Sequence, residues 1–136
     1  MHHPAEDRTK REPHYLPIDR SRFLRSVHHA FEGIIYATRT EPNMRVHFLV
    51  AALVLLATLI LRLDRFYVVA TVTLVTLVLS LELINTAIEK LADRLTTDHD
   101  PQIGRVKDMG SAAVAVALLM AAVFWLFAVI ERIGMI

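Results

Sequence analysis

Three apolar blocks, each fenced by charge, constrain this chain more than any other feature in it. Sixteen residues separate Arg45 from Arg62, and His47 is the one titratable side chain among them. Sixteen more separate Arg65 from Glu82, after which the apolar pattern resumes as far as Ile88. Twenty-two lie between Asp108 and Glu131. A helix needs about 17–25 residues to cross the hydrocarbon of a bilayer. The third block meets that outright, and the first two meet it once their polar ends sit at the interface or in a protein-lined site. A soluble bundle of three buried helices would need polar faces on those helices, and these blocks lack them. The chain has 136 residues, 54% hydrophobic, with a net charge of +1 and no cysteine. That composition excludes a disordered chain, a disulfide scaffold and a cysteine-based metal site. The balanced charge gives no reason to expect nucleic acid as a partner. A small polytopic membrane protein of the all-α class is the reading that remains.

Residues 1–21 are polar, carry Pro4, Pro13 and Pro17, and read as a disordered tail; no apolar core follows their charges as a signal peptide would require. From about 22 to 40 the pattern changes. Phe23, Leu24, Val27, Phe31, Ile34 and Ile35 recur at spacings of three and four, with Arg22, Arg25 and Glu32 off the stripe. That is an amphipathic helix suited to a membrane surface. Pro42 marks a break before the first span. One domain over 22–136 is expected, with spans at about 44–62, 66–92 and 107–130. With the N-terminus cytoplasmic, twelve Lys and Arg fall on that side and only Arg62, Arg65 and Arg132 on the other. The positive-inside bias therefore puts the N-terminus in and the C-terminus out.

This topology gathers the polar residues at one face. Glu41, Asn43 and Arg45 open the first span, Glu82, Asn85, Glu89 and Asp93 close the second, and Lys107 and Asp108 open the third. Glu82, Asn85, Thr86, Glu89 and Asp93 share one stripe of a helix, because they are spaced by 3, 4, 7 and 11 residues. A carboxylate inside a membrane helix costs about 2.5–3.5 kcal/mol and is a functional-site candidate by default. Helix glue is the bland alternative, since interhelical hydrogen bonds also use such residues. A proton or ion pathway is a third reading, but it would spread ionisable groups through the membrane depth. Two carboxylates near a lysine can hold Mg²⁺ on a polyphosphate. No GxxxxGK[ST] loop is present to make a Walker fold. The residues alone thus point to an acidic, cytoplasm-facing membrane site able to bind a metal-phosphate.

The run Glu82-Leu83-Ile84-Asn85-Thr86-Ala87-Ile88-Glu89, then Asp93-Arg94, then Gly104-Arg105-Val106-Lys107-Asp108-Met109-Gly110-Ser111-Ala112-Ala113, resembles the signature of the prokaryotic diacylglycerol kinase family, which includes the undecaprenol kinases. The resemblance extends from about Arg22 to Ile130. It implies an all-α membrane protein with an N-terminal amphipathic surface helix, three transmembrane helices and a homotrimeric assembly in the bacterial inner membrane. It implies transfer of the γ-phosphate of ATP, with Mg²⁺, to a lipid hydroxyl at the cytoplasmic face.

Carried over by position, Glu82 resembles the catalytic base and Asn85 a positioning residue, while Glu41 and Glu89 resemble the metal-holding carboxylates. Lys107 and Asp108 fall where the nucleotide is contacted, as do Arg22, His29 and the loop Asp98-His99-Asp100; the metal-holding Glu41 and Glu89 touch it too. Glu82, Arg45 and Ser111 are the candidates for the lipid alcohol. Two features point to different alcohols. The segment from Glu41 to His47 is more like the undecaprenol branch, and Lys107-Asp108-Met109-Gly110-Ser111-Ala112-Ala113 is more typical of the diacylglycerol branch, which is the expectation taken forward. Small residues at Gly110, Ser111, Ala113, Ala115 and Ala117 favour close helix approach. Tyr67 and Trp125 are expected in an outer interfacial belt.

Overall fold

A computed structural model describes residues 20–96 and 100–134. The tail expected over 1–21 therefore lies outside the described residues except for Arg20 and Ser21, which are helical. All regular structure among the described residues is α-helix: α1 (Arg20–Thr40), α2 (Pro42–Ile60), α3 (Arg65–Leu95) and α4 (Pro101–Arg132). The chain divides into two compact units, residues 1–32 and 33–136. The first holds α1 as far as Glu32, and there Phe23, Leu24 and Phe31 are exposed.

In the second unit α3 is the middle helix, packed against both α2 and α4. The helix starts follow from local chemistry. Pro42 occupies the first turn of α2, where its missing N–H is no loss. Pro101 does the same for α4, and Asp100 caps that helix by accepting from the backbone N–H of Gln102 at 2.7 Å and of Ile103 at 3.3 Å.

All three of these helices are long and apolar enough to cross a membrane. The 31 residues of α3 make a rod of about 46 Å, against about 30 Å of hydrocarbon. Counting about 20 residues from Arg65 reaches Ile84, so the rest of α3 must project beyond the apolar layer. Four hydroxyls within the spans are satisfied by their own helix, whereas that of Thr71 is buried without a partner. Thr58, Thr73, Thr76 and Ser80 each donate to the carbonyl four residues back, at 2.8–2.9 Å.

The α2–α3 turn is tight, with Arg62 in the left-handed region at φ 50°. It is tied to the far end of α4, where Arg132 Nε donates to the Leu61 carbonyl at 2.7 Å and the Tyr67 hydroxyl donates to Glu131. Trp125 departs from the belt expectation. Its indole N–H is buried without a partner and its ring lines an internal cavity, whereas a belt tryptophan keeps that N–H in reach of water.

Candidate functional site

The acidic stripe of α3 grades from buried to exposed. Glu82 and Asn85 are 4% and 7% exposed, Glu89 is half-buried and Asp93 is exposed. That gradient fits a helix leaving an apolar layer, with the most expensive carboxylate deepest. Glu82 is not left alone there: its Oε2 lies 3.6 Å from Nε2 of His47 on α2. A buried carboxylate needs a polar partner, and the imidazole of His47 stands beside this one.

One turn further, Asn85 Nδ2 donates to Glu89 Oε1 at 3.0 Å, fixing both side chains. Asn85 Oδ1 is buried without a partner. The space it occupies exists because position 110 of α4 is glycine, since a Cβ there would collide with that oxygen. Gly110 is thus spent on contact with Asn85 inside one chain. Ala117 is also buried, while Ser111, Ala113 and Ala115 are exposed.

At the projecting end of the bundle, Glu41 interrupts the helices between α1 and α2. It stands at the N-cap of α2 without capping it, because its carboxylate is drawn to Lys90 on α3, with Nζ 2.6 Å from Oε1. The Lys90 ammonium bonded to Glu41 holds its carboxyl below the usual carboxylate range. Lys90 also stands over the Tyr36 ring, 5.3 Å from its centroid. Lys107 on α4 donates to Asp93 Oδ1 at 2.9 Å. Glu89 acts on Lys107 through Coulomb forces, and Asp93 acts on both Glu41 and Lys90. Three elements therefore bring Glu41, Glu89, Asp93, Lys90 and Lys107 to one end.

The remaining expected residues are distributed as follows. Arg45, Asp108 and Ser111 are exposed. Arg22 and His29 belong to the other compact unit, where His29 Nδ1 lies 3.1 Å from Glu32. Asp98 and His99 fall outside the described residues, and Asp100 serves as the cap of α4. Among the described residues no three His, Asp or Glu converge to hold a metal by themselves. Two carboxylates suffice for Mg²⁺ when phosphate oxygens and water complete its shell.

Two participants escape a reading of spacing alone. His47 appears only as a stray polar residue in a span, and Lys90 lies off the acidic stripe. The available signal was complementarity, since each has an acid at the same depth on the neighbouring element. Behind His47 runs an apolar cavity of about 270 Å³ between α2, α3 and α4, lined by Val54, Val78, Ala121 and Trp125 among others. A buried carboxylate whose partner His47 lines an apolar cavity, with acids and ammoniums further along the bundle, offers room for a greasy alcohol on one side and a polyphosphate on the other.

A family model for prokaryotic diacylglycerol kinase matches residues 28–129. An undecaprenol kinase of Bacillus subtilis is 32% identical over 83% of this chain and 92% of its own length. A diacylglycerol kinase of Haemophilus influenzae is 30% identical, covering 82% of this chain and 94% of its own. The Escherichia coli K12 diacylglycerol kinase is 29% identical over 77% of this chain and 86% of its own.

Proposed function

The chain belongs to the prokaryotic diacylglycerol kinase family, and from that premise we propose how its residues phosphorylate a membrane lipid alcohol. It is a lipid kinase of the diacylglycerol kinase type and a bacterial membrane protein with three apolar spans. The finer assignments are ours: ATP is the donor, diacylglycerol the acceptor and phosphatidic acid the product. The reaction takes place at the cytoplasmic face, and the enzyme is a homotrimer.

One observation carries the mechanism: Glu82 is buried beside His47, which lines an apolar cavity, and stands one turn from the Asn85–Glu89 pair. Glu82 accepts the proton of the lipid hydroxyl as its oxygen attacks the γ-phosphorus of ATP. The P–O bond to ADP breaks, and the phosphoryl group ends on the lipid oxygen. Asn85 holds Glu89 in place and, through Gly110, keys α3 to α4 at the level of the reacting groups. Glu41 and Glu89 are the carboxylates that would hold Mg²⁺, and Lys107 and Asp108 face the nucleotide. When bound, Mg²⁺ supplies neutralisation of the charge that develops on the phosphates. Low dielectric around the buried Glu82 strengthens the interactions that reach it directly.

The sequence from Lys107 to Ala113 supports diacylglycerol as the acceptor. The segment from Glu41 to His47, together with the similarity to an undecaprenol kinase, supports the second reading, in which the product is undecaprenyl phosphate. The test is a single assay on detergent-solubilised protein with labelled ATP, Mg²⁺ and either alcohol. Faster labelling of diacylglycerol is the expected outcome. Exclusive labelling of undecaprenol selects the second reading, and ATP-independent ion flux in liposomes with no lipid product would sink the site assignment.

A further inference from the structure

We propose that Lys90 is a phosphate-binding residue held in reserve on Glu41, which it releases when a divalent cation reaches that carboxylate. The inference rests on the reading of Glu41 as a metal ligand. Before nucleotide arrives, the 2.6 Å contact from Lys90 Nζ makes the ammonium the counter-cation of that carboxylate. The side chains are 37% and 25% exposed, so the pair is open to exchange rather than sealed in a core. Glu41 makes no capping bond that would have to break first. Lys90 itself is only partly covered. It is an off-stripe residue adjacent in sequence to Glu89, and its ammonium hangs over the Tyr36 ring.

The charges around it argue for its next partner. Glu41, Glu89 and Asp93 carry three negative charges, and Lys90 and Lys107 two positive ones. Three carboxylates without the lysines would repel a nucleoside triphosphate even with one divalent cation bound to it. Lys107 donates to Asp93 at 2.9 Å, a carboxylate that no metal is proposed to take. A divalent cation on Glu41 would repel an ammonium left within hydrogen-bond distance of the same carboxylate. The compact charge on a flexible four-carbon stem then turns to the nearest strong acceptors, the phosphate oxygens that arrive with the metal. Lys90 thus weakens metal binding when nucleotide is absent and strengthens nucleotide binding when metal is present.

These opposite signs separate the proposal from a purely structural role, in which Lys90 merely ties α3 to the α1–α2 junction. The experiment uses the full chain in detergent and compares wild type with Lys90→Met and Lys90→Gln. Mn²⁺ binding without nucleotide is read by electron paramagnetic resonance, and binding of a non-hydrolysable ATP analogue at saturating Mn²⁺ by calorimetry. Both variants are expected to bind bare Mn²⁺ about fivefold more tightly, the upper range for an accessible ion pair. They should bind the analogue roughly tenfold more weakly, as loss of a charge-assisted contact predicts. Metal and analogue affinities that fall together, or that both stay unchanged, overturn the role of Lys90. Glu41→Gln is the reference: if it loses Mn²⁺ while Lys90→Met changes nothing, only the Lys90 inference fails. If Glu41→Gln binds Mn²⁺ like wild type, the metal-ligand reading fails first.

Discussion

At the Arg62 end of the bundle, polar side chains close on backbone and on each other. Arg132 donates to the Leu61 carbonyl, and Tyr67 donates to Glu131, so the turn and the tip of α4 are stitched. At the Glu41 end the same residue types meet as ion pairs between elements, Glu41 with Lys90 and Asp93 with Lys107. Beneath them lies a buried amide oxygen with no partner and a glycine opposite it. The first arrangement holds backbone in place. The second holds charges that a metal-phosphate can trade for its own, over the Glu82 carboxylate that water scarcely reaches. Position along the spans, more than residue type, separates a tether from a site.

Substitutions can break that contrast, and the largest effect is expected at the deepest residue. Glu82→Gln should lower kcat by about two to four powers of ten while leaving analogue binding intact; near-normal turnover would remove Glu82 from the chemistry. Gly110→Ala comes next. Its added methyl meets the Asn85 amide, and overpacking of this kind costs about 1–3 kcal/mol, measurable as a lower unfolding midpoint together with lost activity. At the opposite end, Arg132→Ala should cost about 1 kcal/mol, the usual worth of one hydrogen bond. Turnover measured well below the midpoint should not change, and a large loss of kcat there would erase the distinction between the two ends.

The smallest effect is a pH dependence. Lys90 holds the Glu41 carboxyl below its ordinary value, so the folded chain binds fewer protons at this group than the unfolded chain does. The stability this contributes is complete above the unfolded value, near 4.5, and is lost as pH falls through the lower folded value. Screening at this accessible pair keeps the contribution small. Carbon-13 titration of Glu41 should show its midpoint rising in Lys90→Met; an unmoved midpoint would mean that the ion pair does not form.

The spans were legible because hydropathy alone defines a bilayer-crossing segment, and Arg45, Arg62, Arg65, Glu82, Asp108 and Glu131 mark its fences. The acidic stripe was legible because helical periodicity is a local property, fixed by the intervals between Glu82, Asn85, Glu89 and Asp93. What spacing could not supply is pairing between elements. That His47 reaches Glu82 depends on the relative depth of α2 and α3, which no interval within one helix encodes. The same holds for Lys90 and Glu41, and for the contact of Gly110 with Asn85. Trp125 was misjudged for a related reason: its nearness to the end of a span suggested a belt, but rotation about the α4 axis turns its ring toward the cavity.

The low self-burial of the spans has a consequence of its own. Only 11% of the residues in the most apolar window of α2, and 17% in those of α3 and α4, are buried within the chain. Most of the grip on these helices must therefore come from what surrounds the chain. Thermal robustness should then track the detergent's chain length and the thickness of the host leaflet more closely than it tracks substitutions in the interior.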